Sequence, residues 1–385
     1  MGDRPRLLYL ITEDWYFWSH RVDLARAARD AGYAVIVATR VSDYGDRIRK
    51  EGFQLEPLEM VRRSRNPFRE VIAVAELVRL YRRVRPDVVH HVAMKPILYG
   101  SLAAWISRVP AVINAFAGLG YVFMEERNRL LRWCVKTSLR AVLSLGHSAV
   151  LVQNHDDQDR LVGEGVVPVS QTRIIAGSGI DVDAYSLKPQ PSGLPVVMLP
   201  ARMLWDKGVG EFVEAAGRLK RKGIRARFVL VGRRDEHNPA AIPEIRLTEW
   251  MKEEVVEWWG HREDMPAVYT AATLVVLPSY REGLPKVLLE AAACGKAIVT
   301  TDVPGCREIV QDRFNGLLVS PRDAEALAAA IEELLSDREA REMMGARSRA
   351  RVVAEWSGPR IVEQVLGLYR DLAKASAVDR SHGYA

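Results

Sequence analysis

Short apolar segments alternate with longer amphipathic ones along the chain, and this alternation constrains the fold more than any other feature. Residues 7–11 are typical of a buried strand, residues 19–31 of a helix ended by Gly32, and residues 34–39 of a second strand. The pattern continues with a helix over 69–84 and strands over 87–92, 111–114 and 149–153. Strands that alternate with helices predict a parallel sheet covered on both faces.

The same alternation restarts after a segment rich in proline and glycine, residues 188–195. Strands are predicted over 196–199, 227–231, 255–258, 274–277, 297–300 and 316–318, and helices over 210–220, 265–271 and 286–293. We therefore predict two doubly wound α/β domains, 1–187 and 188–357, facing each other across a cleft. Residues 358–385 form a last helix and a tail, and Ile361, Val365, Tyr369 and Leu372 give that helix an apolar stripe.

Composition is that of an ordinary globular protein, with 385 residues, 48% of them apolar and 27% charged. The three cysteines, Cys134, Cys294 and Cys306, have neither a disulfide-framework nor a zinc-ligand spacing, so we expect a reducing, cytoplasmic compartment. No apolar run approaches the ~18–20 residues of a membrane span. The class that remains is a two-domain protein that can lie on a membrane but does not cross one.

Positive charge is concentrated in the first half of the chain. The formal net charge is +6, and residues 1–185 hold 26 basic against 21 acidic side chains. Eight arginines lie between Arg62 and Arg85, and five basic residues with no acidic one lie between Arg127 and Arg140. This distribution predicts that the first half meets an anionic partner.

The segment Pro278-Ser-Tyr-Arg-Glu-Gly-Leu-Pro-Lys-Val-Leu-Leu-Glu-Ala-Ala-Ala-Cys-Gly295 holds the densest group of chemically useful side chains. A strand ends, a glycine turn follows, and a helix begins, with Glu282 in the turn and Glu290 about two helical turns into the helix. Backbone N–H groups at a helix start can bind an anion, and carboxylates can bind vicinal hydroxyls. The segment therefore indicates a site for a sugar and a phosphate together. Taken singly, each glutamate could instead be a helix cap or a solvated helix position.

Glu282, seven intervening residues and Glu290 resemble the signature of retaining glycosyltransferases of family 4, and the resemblance extends over essentially the whole chain. Ala201-Arg-Met-Leu-Trp-Asp-Lys-Gly208 is similar to the family's segment after the first strand of its C-terminal domain. Residues 255–264 resemble the strand and loop that contact the nucleotide base, and residues 301–308 resemble the loop after a later strand. The resemblance implies the two-domain GT-B fold, with the last helix crossing back onto the N-terminal domain.

The resemblance also implies roles for individual residues. Arg202 and Lys207 would bind the donor diphosphate and, with Glu282 on the transferred sugar, carry catalysis, while Glu290 would hold the ribose. The remaining donor-binding residues would be Gly283, Leu284, Pro285, His261 and Arg262. Departure of a diphosphate develops negative charge, which preorganised cations stabilise. No cofactor or metal is expected, because Asp181-Val-Asp183 lies at the interdomain crossover and is interpreted as a linker cap.

At the N-terminus the chain departs from family members that carry a Gly-Gly turn after the first strand. Its Ser19-His-Arg21 segment, with Ala117-Gly-Leu-Gly-Tyr-Val-Phe123, resembles the branch that acts on lipid-linked sugars. His20 and Arg21 would then start a helix near the acceptor or a phosphate. His91 and Lys95, at the end of another strand, are assigned to the same side. For each histidine a purely structural role is the open alternative, as is a core position for Trp15, Tyr16 and Trp18.

Two helices are predicted to present basic faces to an anionic membrane surface, since their cations recur at helical spacing with few acidic neighbours, Glu70 and Glu76 in the first helix and none in the second. These residues are Arg79, Arg82, Arg83, Arg129, Arg132, Lys136 and Arg140. A solvated helix face is the alternative. Nucleic acid is disfavoured because no recognised nucleic-acid module is present.

The hypothesis is therefore a glycosyltransferase that moves a sugar, with retention, from a UDP-sugar to a polyprenyl-diphosphate-linked saccharide. It would work at the cytoplasmic face of the cell membrane in polysaccharide or glycan assembly. A nucleotide-sugar epimerase of the same fold and a non-catalytic sugar-binding protein are the alternatives. A dinucleotide oxidoreductase is disfavoured because no Gly-x-Gly-x-x-Gly follows the first strand.

Overall fold

The computed structural model describes residues 4–60, 67–119, 129–188, 192–235 and 238–381. The chain forms two compact units, one of Met1–Ser178 with Ile361–Ala385 and one of Gly179–Arg360. Residues 179–187, which the sequence analysis placed in the first domain, thus belong to the second unit. They are held there by the backbone, since the Ile180 amide donates to the Trp356 carbonyl (3.0 Å) and the Gly358 amide donates to the Ile180 carbonyl (2.8 Å).

Within its described residues, the first unit contains a seven-stranded parallel sheet with the strand order β3-β2-β1-β4-β5-β6-β7. Its strands are β1 (Arg6–Glu13), β2 (Ala34–Arg40), β3 (Gln54–Pro57), β4 (Val88–Val92), β5 (Ala111–Ala115), β6 (Ser148–Val152) and β7 (Thr172–Ile174). Its helices are α1 (Asp14–His20), α2 (Val22–Asp30), α3 (Gly45–Lys50), α4 (Pro67–Val84), α5 (Met94–Ile106), α6 (Arg129–Leu143) and α7 (His155–Gly163). The register places Tyr9 of β1 beside His90 of β4.

The second unit repeats this arrangement, with a six-stranded parallel sheet in the order β10-β9-β8-β11-β12-β13 among its described residues. Its strands are β8 (Val196–Pro200), β9 (Arg227–Val231), β10 (Glu257–Trp258), β11 (Leu274–Leu277), β12 (Ala297–Thr301) and β13 (Leu317–Val319). Its helices are α8 (Val209–Arg221), α9 (Glu244–Lys252), α10 (Met265–Ala271), α11 (Lys286–Ala293), α12 (Cys306–Ile309), α13 (Ala324–Ser336) and α14 (Arg338–Glu355).

The last helix, α15 (Gly358–Ser381), packs its apolar stripe into the core of the first unit. Ile361, Val365 and Tyr369 are buried together with Leu7 and Tyr9 of β1. The helix therefore crosses back to the N-terminal domain, as the sequence predicted.

Both sheets reverse their strand order beside their first strand, between β1 and β4 in one unit and between β8 and β11 in the other. Loops that leave two such strands at their carboxyl ends diverge to opposite faces and leave a crevice, the topological switch point at which α/β proteins bind ligands. The loops after β1, β4, β8 and β11 are therefore where site residues are expected.

Candidate active site

The switch point of the second unit is formed by the loop after β8 and the loop after β11. The first loop ends in a 3₁₀ turn, Trp205–Lys207, and in Gly208, which caps α8 with φ of 71°. A Cβ built on Gly208 would lie 2.0 Å from the Pro278 carbonyl oxygen, so only glycine lets the two loops approach this closely. The close approach brings Lys207 to the residues that follow β11.

Lys207 and Arg202 each contact a carboxylate in this crevice. Lys207 Nζ lies 2.5 Å from Glu282 Oε1, joining the two loops, and Arg202 Nη1 lies 2.8 Å from Asp235 Oδ2. Both pairs are partly buried, with 18% of the Lys207 side chain and 35% of the Arg202 side chain exposed. Because both ion pairs remain partly exposed to solvent, either cation could exchange its carboxylate for another anion.

Glu290 lies deeper than Glu282, on the fifth residue of α11. The helix starts only at Lys286, so Glu290 is little more than one turn into it rather than the two turns predicted. Its two carboxylate oxygens accept hydrogen bonds from Tyr185 Oη (2.9 Å) and Tyr269 Oη (3.0 Å). Burial raises the pKa of Glu290. Lys286 Nζ also lies 3.8 Å from Glu290 Oε1, so the two tyrosine hydroxyls and this cation leave only part of the acceptor capacity of the carboxylate.

The segment between the two glutamates is a loop followed by the start of α11. Gly283 and Leu284 lie in the loop, and Pro285 is the N-terminal cap residue of α11 and makes no side-chain capping bond. His261 and Arg262 are exposed in the loop between β10 and α10, where Asp264 accepts a hydrogen bond from the Ala267 amide (3.3 Å). The structure thus brings Lys207 to Glu282 and keeps His261 and Arg262 on a different loop of the same unit.

In the first unit the segment after β1 is helical rather than a loop. Residues 14–20 form α1, so His20 ends a helix instead of starting one, and Arg21 precedes α2. Asp14 fixes this turn, because its buried carboxylate accepts hydrogen bonds from the Ser42 amide (2.6 Å) and the Tyr44 amide (3.0 Å). His20 stacks on Tyr16, with ring centroids 4.3 Å apart, and lies 2.6 Å from Ser19 Oγ.

His91 does not face a ligand crevice, which corrects its assignment to the acceptor side. The side chain is fully buried, with Nε2 3.0 Å from Tyr81 Oη and Nδ1 2.9 Å from Asn114 Oδ1. Burial lowers the pKa of His91 to about 4. A Cβ on Gly100 of α5 would lie 2.6 Å from His91 Nε2, so the helix also closes over the ring. Lys95 forms an ion pair with Glu70 at 2.8 Å.

The neighbouring residue, His90, faces the other side of the sheet and lines a small cavity with Arg21. The cavity lies at the carboxyl ends of β4 to β7, and its other lining residues are Leu24, Ala115, Phe116, Leu151, Gln153, Ile175, Gly177 and Val365. Burial lowers the pKa of His90 well below its usual range, and the nearby Arg21 guanidinium adds to this effect. Adjacent strand residues point to opposite faces, so one histidine of the pair lines the cavity and the other does not.

The basic helix faces have more acidic partners than the sequence suggested. Glu164 contacts Arg132 at 2.5 Å and Lys136 at 3.8 Å, and Arg83 forms an ion pair with Glu56. Arg79, Arg82 and Arg140 are exposed and form no ion pair with any described residue. The side chain of Arg129 lies outside the described residues, as do residues 61–66 and 120–128.

Large apolar side chains on the same helices were missed by the sequence analysis. Leu130 and Trp133 of α6 are 71% and 62% exposed, and Val71 and Ile72 of α4 and Trp105 of α5 are exposed as well. The sequence alone shows that Leu130, Trp133 and Arg140 share one face of a helix. An apolar stripe on a helix normally packs against the protein core, so the exposure of these side chains was not predicted.

Over the described residues, no group of three or more His, Cys, Asp or Glu side chains is arranged to hold a metal ion. Asp181 caps a turn, as predicted, and its Oδ1 accepts from the amides of Asp183 and Ala184, each at 3.0 Å. Cys294 and Cys306 are buried free thiols. None of the helices in the described part of the chain is both long and apolar enough to pass through a bilayer.

Two families of known proteins match the chain, one on each unit. The family described as glycosyl transferases group 1 matches residues 187–351, and the family described as glycosyl transferase 4-like matches residues 6–153. The two matches fall on the two doubly wound units, and the first contains Arg202, Lys207, Glu282 and Glu290.

Individual relatives extend over most of the chain. N,N'-diacetylbacillosaminyl-diphospho-undecaprenol alpha-1,3-N-acetylgalactosaminyltransferase of Campylobacter jejuni is 28% identical over 92% of this chain and 95% of its own. UDP-Gal:alpha-D-GlcNAc-diphosphoundecaprenol alpha-1,3-galactosyltransferase of Escherichia coli is 22% identical over 79% of this chain and 80% of its own. Among solved structures, Anabaena Alr3699/HepE in complex with UDP and glucose superposes with a TM-score of 0.76 at 19% identity, covering 94% and 98% of the two chains. The last match shows the shared GT-B fold.

Proposed function

This chain belongs to the family 4 glycosyltransferases of GT-B fold, and we propose that it transfers a sugar, with retention, from a UDP-sugar to a saccharide carried on a polyprenyl diphosphate. One observation carries the proposal: Lys207 and Glu282 meet at the switch point of the second unit, where the loops after β8 and β11 come together. The names of the two relatives supply the substrate classes, since both describe α-transfer to a sugar on an undecaprenyl diphosphate.

Donor binding is assigned to the second unit. When a nucleotide diphosphate enters, its oxygens replace the carboxylates that now contact Lys207 and Arg202, and Glu282 becomes available for hydroxyls of the sugar. Glu290 holds the ribose, oriented by the hydroxyls of Tyr185 and Tyr269. Gly283, Leu284 and Pro285 line the sugar–phosphate site, and His261 and Arg262 lie toward the base.

Bond cleavage leaves negative charge on the departing diphosphate and positive character on the sugar. Lys207 and Arg202 stabilise the negative charge on the diphosphate. The acceptor hydroxyl attacks the sugar on the face that the diphosphate leaves, and this attack removes the positive character of the sugar. The departing phosphate takes the proton of that hydroxyl. Because these two cations supply the positive charge that a metal supplies in other transferases, we propose that transfer needs no divalent metal and persists in EDTA.

The first unit is proposed to contact the membrane through α4, α5 and α6. Arg140 shares one helical face with Leu130 and Trp133, and Arg79 lies seven residues from the exposed Ile72, also on one face. Interfacial helices combine such cations with aromatic and aliphatic side chains. This surface, named here the α4–α6 face, would place the enzyme at the cytoplasmic leaflet that carries its lipid-linked acceptor.

The experiment that tests the activity is a panel of UDP- and GDP-sugars incubated with short-chain polyprenyl-diphosphate sugars, with the product anomer determined by NMR. We expect transfer from a UDP-sugar to give an α-linked product. Release of UDP without an acceptor, together with interconversion of the donor sugar, would instead identify an epimerase. Failure of every donor to react or to bind would favour a non-catalytic protein.

Vesicle flotation tests the membrane assignment. We expect binding to phosphatidylglycerol vesicles to exceed binding to phosphatidylcholine vesicles, and the double variant Leu130→Ser with Trp133→Ser to lose most of it. A matched control replaces exposed residues of the second unit, Met343→Ser with Val353→Ser, and should bind as the unaltered protein does. Equal binding to both vesicle types would contradict the role of the basic residues.

A further inference from the structure

Arg21 is a buried cation with no acidic partner among the residues that the structure describes. The residue is 5% exposed, and its Nε atom has no hydrogen-bond partner among the described residues. Its Nη1 atom donates a hydrogen bond to the His20 carbonyl oxygen, at 3.0 Å, and it forms no ion pair within the described part of the chain. Burying a charge without a partner costs several kcal/mol, so such an arginine indicates an anion that is supplied from outside.

His90 directs a second unpartnered nitrogen at the same cavity. The ring is 1% exposed, its Nδ1 lies 2.7 Å from Tyr369 Oη, and its Nε2 has no partner among the described residues. Tyr369 Oη in turn lies 3.0 Å from Tyr9 Oη, so the three side chains form a buried chain of hydrogen bonds.

The direction of that chain follows from the fully buried Tyr9. If Tyr9 donates to Tyr369, and Tyr369 donates to His90 Nδ1, both phenol protons are used and the imidazole proton lies on Nε2. In the reverse direction the Tyr9 proton has no acceptor among the described residues, which costs about 1–3 kcal/mol. Burial raises the pKa of Tyr9 and of Tyr369, so both phenols keep their protons.

Two N–H donors, Arg21 Nε and His90 Nε2, therefore line one cavity, and neither has an acceptor in the described part of the chain. The N-terminus of α2 begins at Val22, directly after Arg21, and adds positive potential. Leu24, Phe116 and Val365 supply apolar walls beside these donors. The arrangement suits an oxygen of an anion and repels a metal cation.

We infer that Arg21 and His90 bind a phosphoryl group of the acceptor's polyprenyl diphosphate through one of its oxygens, because their cavity, about 10 Å³ in volume, has room for one oxygen-sized atom. The inference rests on the proposed function, in which two reactants carry a diphosphate. It assigns the nucleotide diphosphate to Lys207 and Arg202 of the second unit and the lipid diphosphate to Arg21 and His90 of the first. Tyr9 and Tyr369 are positioning residues that keep the donating N–H of His90 on Nε2.

Binding without turnover tests the site separately from the activity. Isothermal titration of the full-length protein with inorganic pyrophosphate, with farnesyl diphosphate and with UDP is compared for the unaltered protein, Arg21→Gln and the surface control Arg49→Gln. We expect Arg21→Gln to weaken farnesyl diphosphate and pyrophosphate binding at least tenfold and to leave UDP binding unchanged. Equal binding of the lipid diphosphate by Arg21→Gln and the unaltered protein would overturn the inference, and so would a loss confined to UDP.

Variants of His90 test whether its Nε2 atom acts as a hydrogen-bond donor to the acceptor substrate. A glutamine amide can replace the Nε2 donor, whereas an asparagine amide reaches only the Nδ1 position, so we expect His90→Gln to retain most acceptor affinity and His90→Asn to lose about tenfold. In the transfer assay these losses should fall on the acceptor KM and leave the donor KM unchanged. A protein that binds farnesyl diphosphate through Arg21 but transfers no sugar would retain this site and reject the proposed function. If Arg21→Gln transfers sugar with the same acceptor KM as the unaltered protein, the proposed function is retained and the site at Arg21 and His90 is rejected.

Discussion

The two switch points share one strand order but treat their cations in opposite ways. In the second unit Lys207 and Arg202 each contact a carboxylate and remain partly exposed. In the first unit Arg21 is buried and has no acidic partner among the described residues. A paired and partly hydrated charge costs little when the ligand is absent, whereas a lone buried charge reduces stability until an anion arrives. Two sheets of the same topology thus carry different anion sites. The cations of the second unit can exchange a carboxylate for a ligand, whereas the cation of the first unit is buried and has no described carboxylate to exchange.

Removal of Lys207 should have the largest effect of any single change. We expect Lys207→Ala to lower kcat by about 100- to 1,000-fold, because the cation stabilises the negative charge that develops on the departing diphosphate. Loss of one preorganised hydrogen-bond donor to a transition state has an effect of this size. Steady-state kinetics with saturating donor and acceptor measure this. Lys222→Ala, which removes an exposed lysine of the same unit, is the control. A kcat for Lys207→Ala within a few-fold of the control would contradict the assignment.

Acid should destabilise the first unit through His91. The pKa of this buried ring falls from 6.5 to about 4 on folding, so the unfolded chain binds a proton that the folded chain excludes. Stability from this group is complete above pH 6.5 and decreases as the pH falls to 4, by about 3 kcal/mol at ~1.4 kcal/mol per pH unit.

Hydrogen exchange of the β4 amides between pH 7 and pH 4.5, corrected for the intrinsic rate at each pH, measures this loss. We expect His91→Gln to reduce the dependence without abolishing it, because the buried His90 of the same strand also has a lowered pKa, and the exposed His147→Gln to leave it unaltered. A dependence that is as steep in His91→Gln as in the unaltered protein would assign it to other groups.

The sequence predicted those parts of the site that depend on strand ends. The ends of the predicted strands were located to within a residue or two, so the sequence identified the segments after β8 and β11 in which Lys207 and Glu282 lie. It could not distinguish His90 from His91, because that choice requires knowing which face of β4 is covered by α5 and which by α15. The Asp235 partner of Arg202 was equally hidden, since 33 residues separate the two and only the β8–β9 pairing brings them together.

The sequence also did not predict the helix formed by the aromatic-rich residues 14–20. Residues 14–18 lie between the predicted strand, 7–11, and the predicted helix, 19–31, and were assigned to neither. The structure makes this segment α1, with Phe17 in the core and the buried Asp14 anchored to Ser42. Tertiary contacts, rather than the segment's own periodicity, therefore determine how Arg21 reaches its cavity.

Replacing each cation by methionine in the ligand-free protein compares the two sites directly. We expect Arg21→Met to raise the free energy of unfolding by about 1–3 kcal/mol, since a buried charge without a partner is removed. Lys207→Met should lower it by about 1–3 kcal/mol, because Glu282 is then left partly buried without its cation. Urea unfolding followed by tryptophan fluorescence gives both values, and the same sign for both variants would contradict the contrast between the sites.

The tyrosines that orient the site residues should give the smallest effects and the most specific ones. Tyr269 donates to Glu290 in the second unit, and Tyr369 hydrogen-bonds His90 in the first. Each lost hydrogen bond is worth about 1 kcal/mol, or roughly fivefold in binding. We expect Tyr269→Phe to raise the donor KM by that factor with the acceptor KM unchanged, and Tyr369→Phe to do the reverse. Because both variants keep the ring and its packing, a general loosening of the fold would change both constants in both variants. Only separate shifts in donor and acceptor KM are consistent with one substrate diphosphate at each switch point.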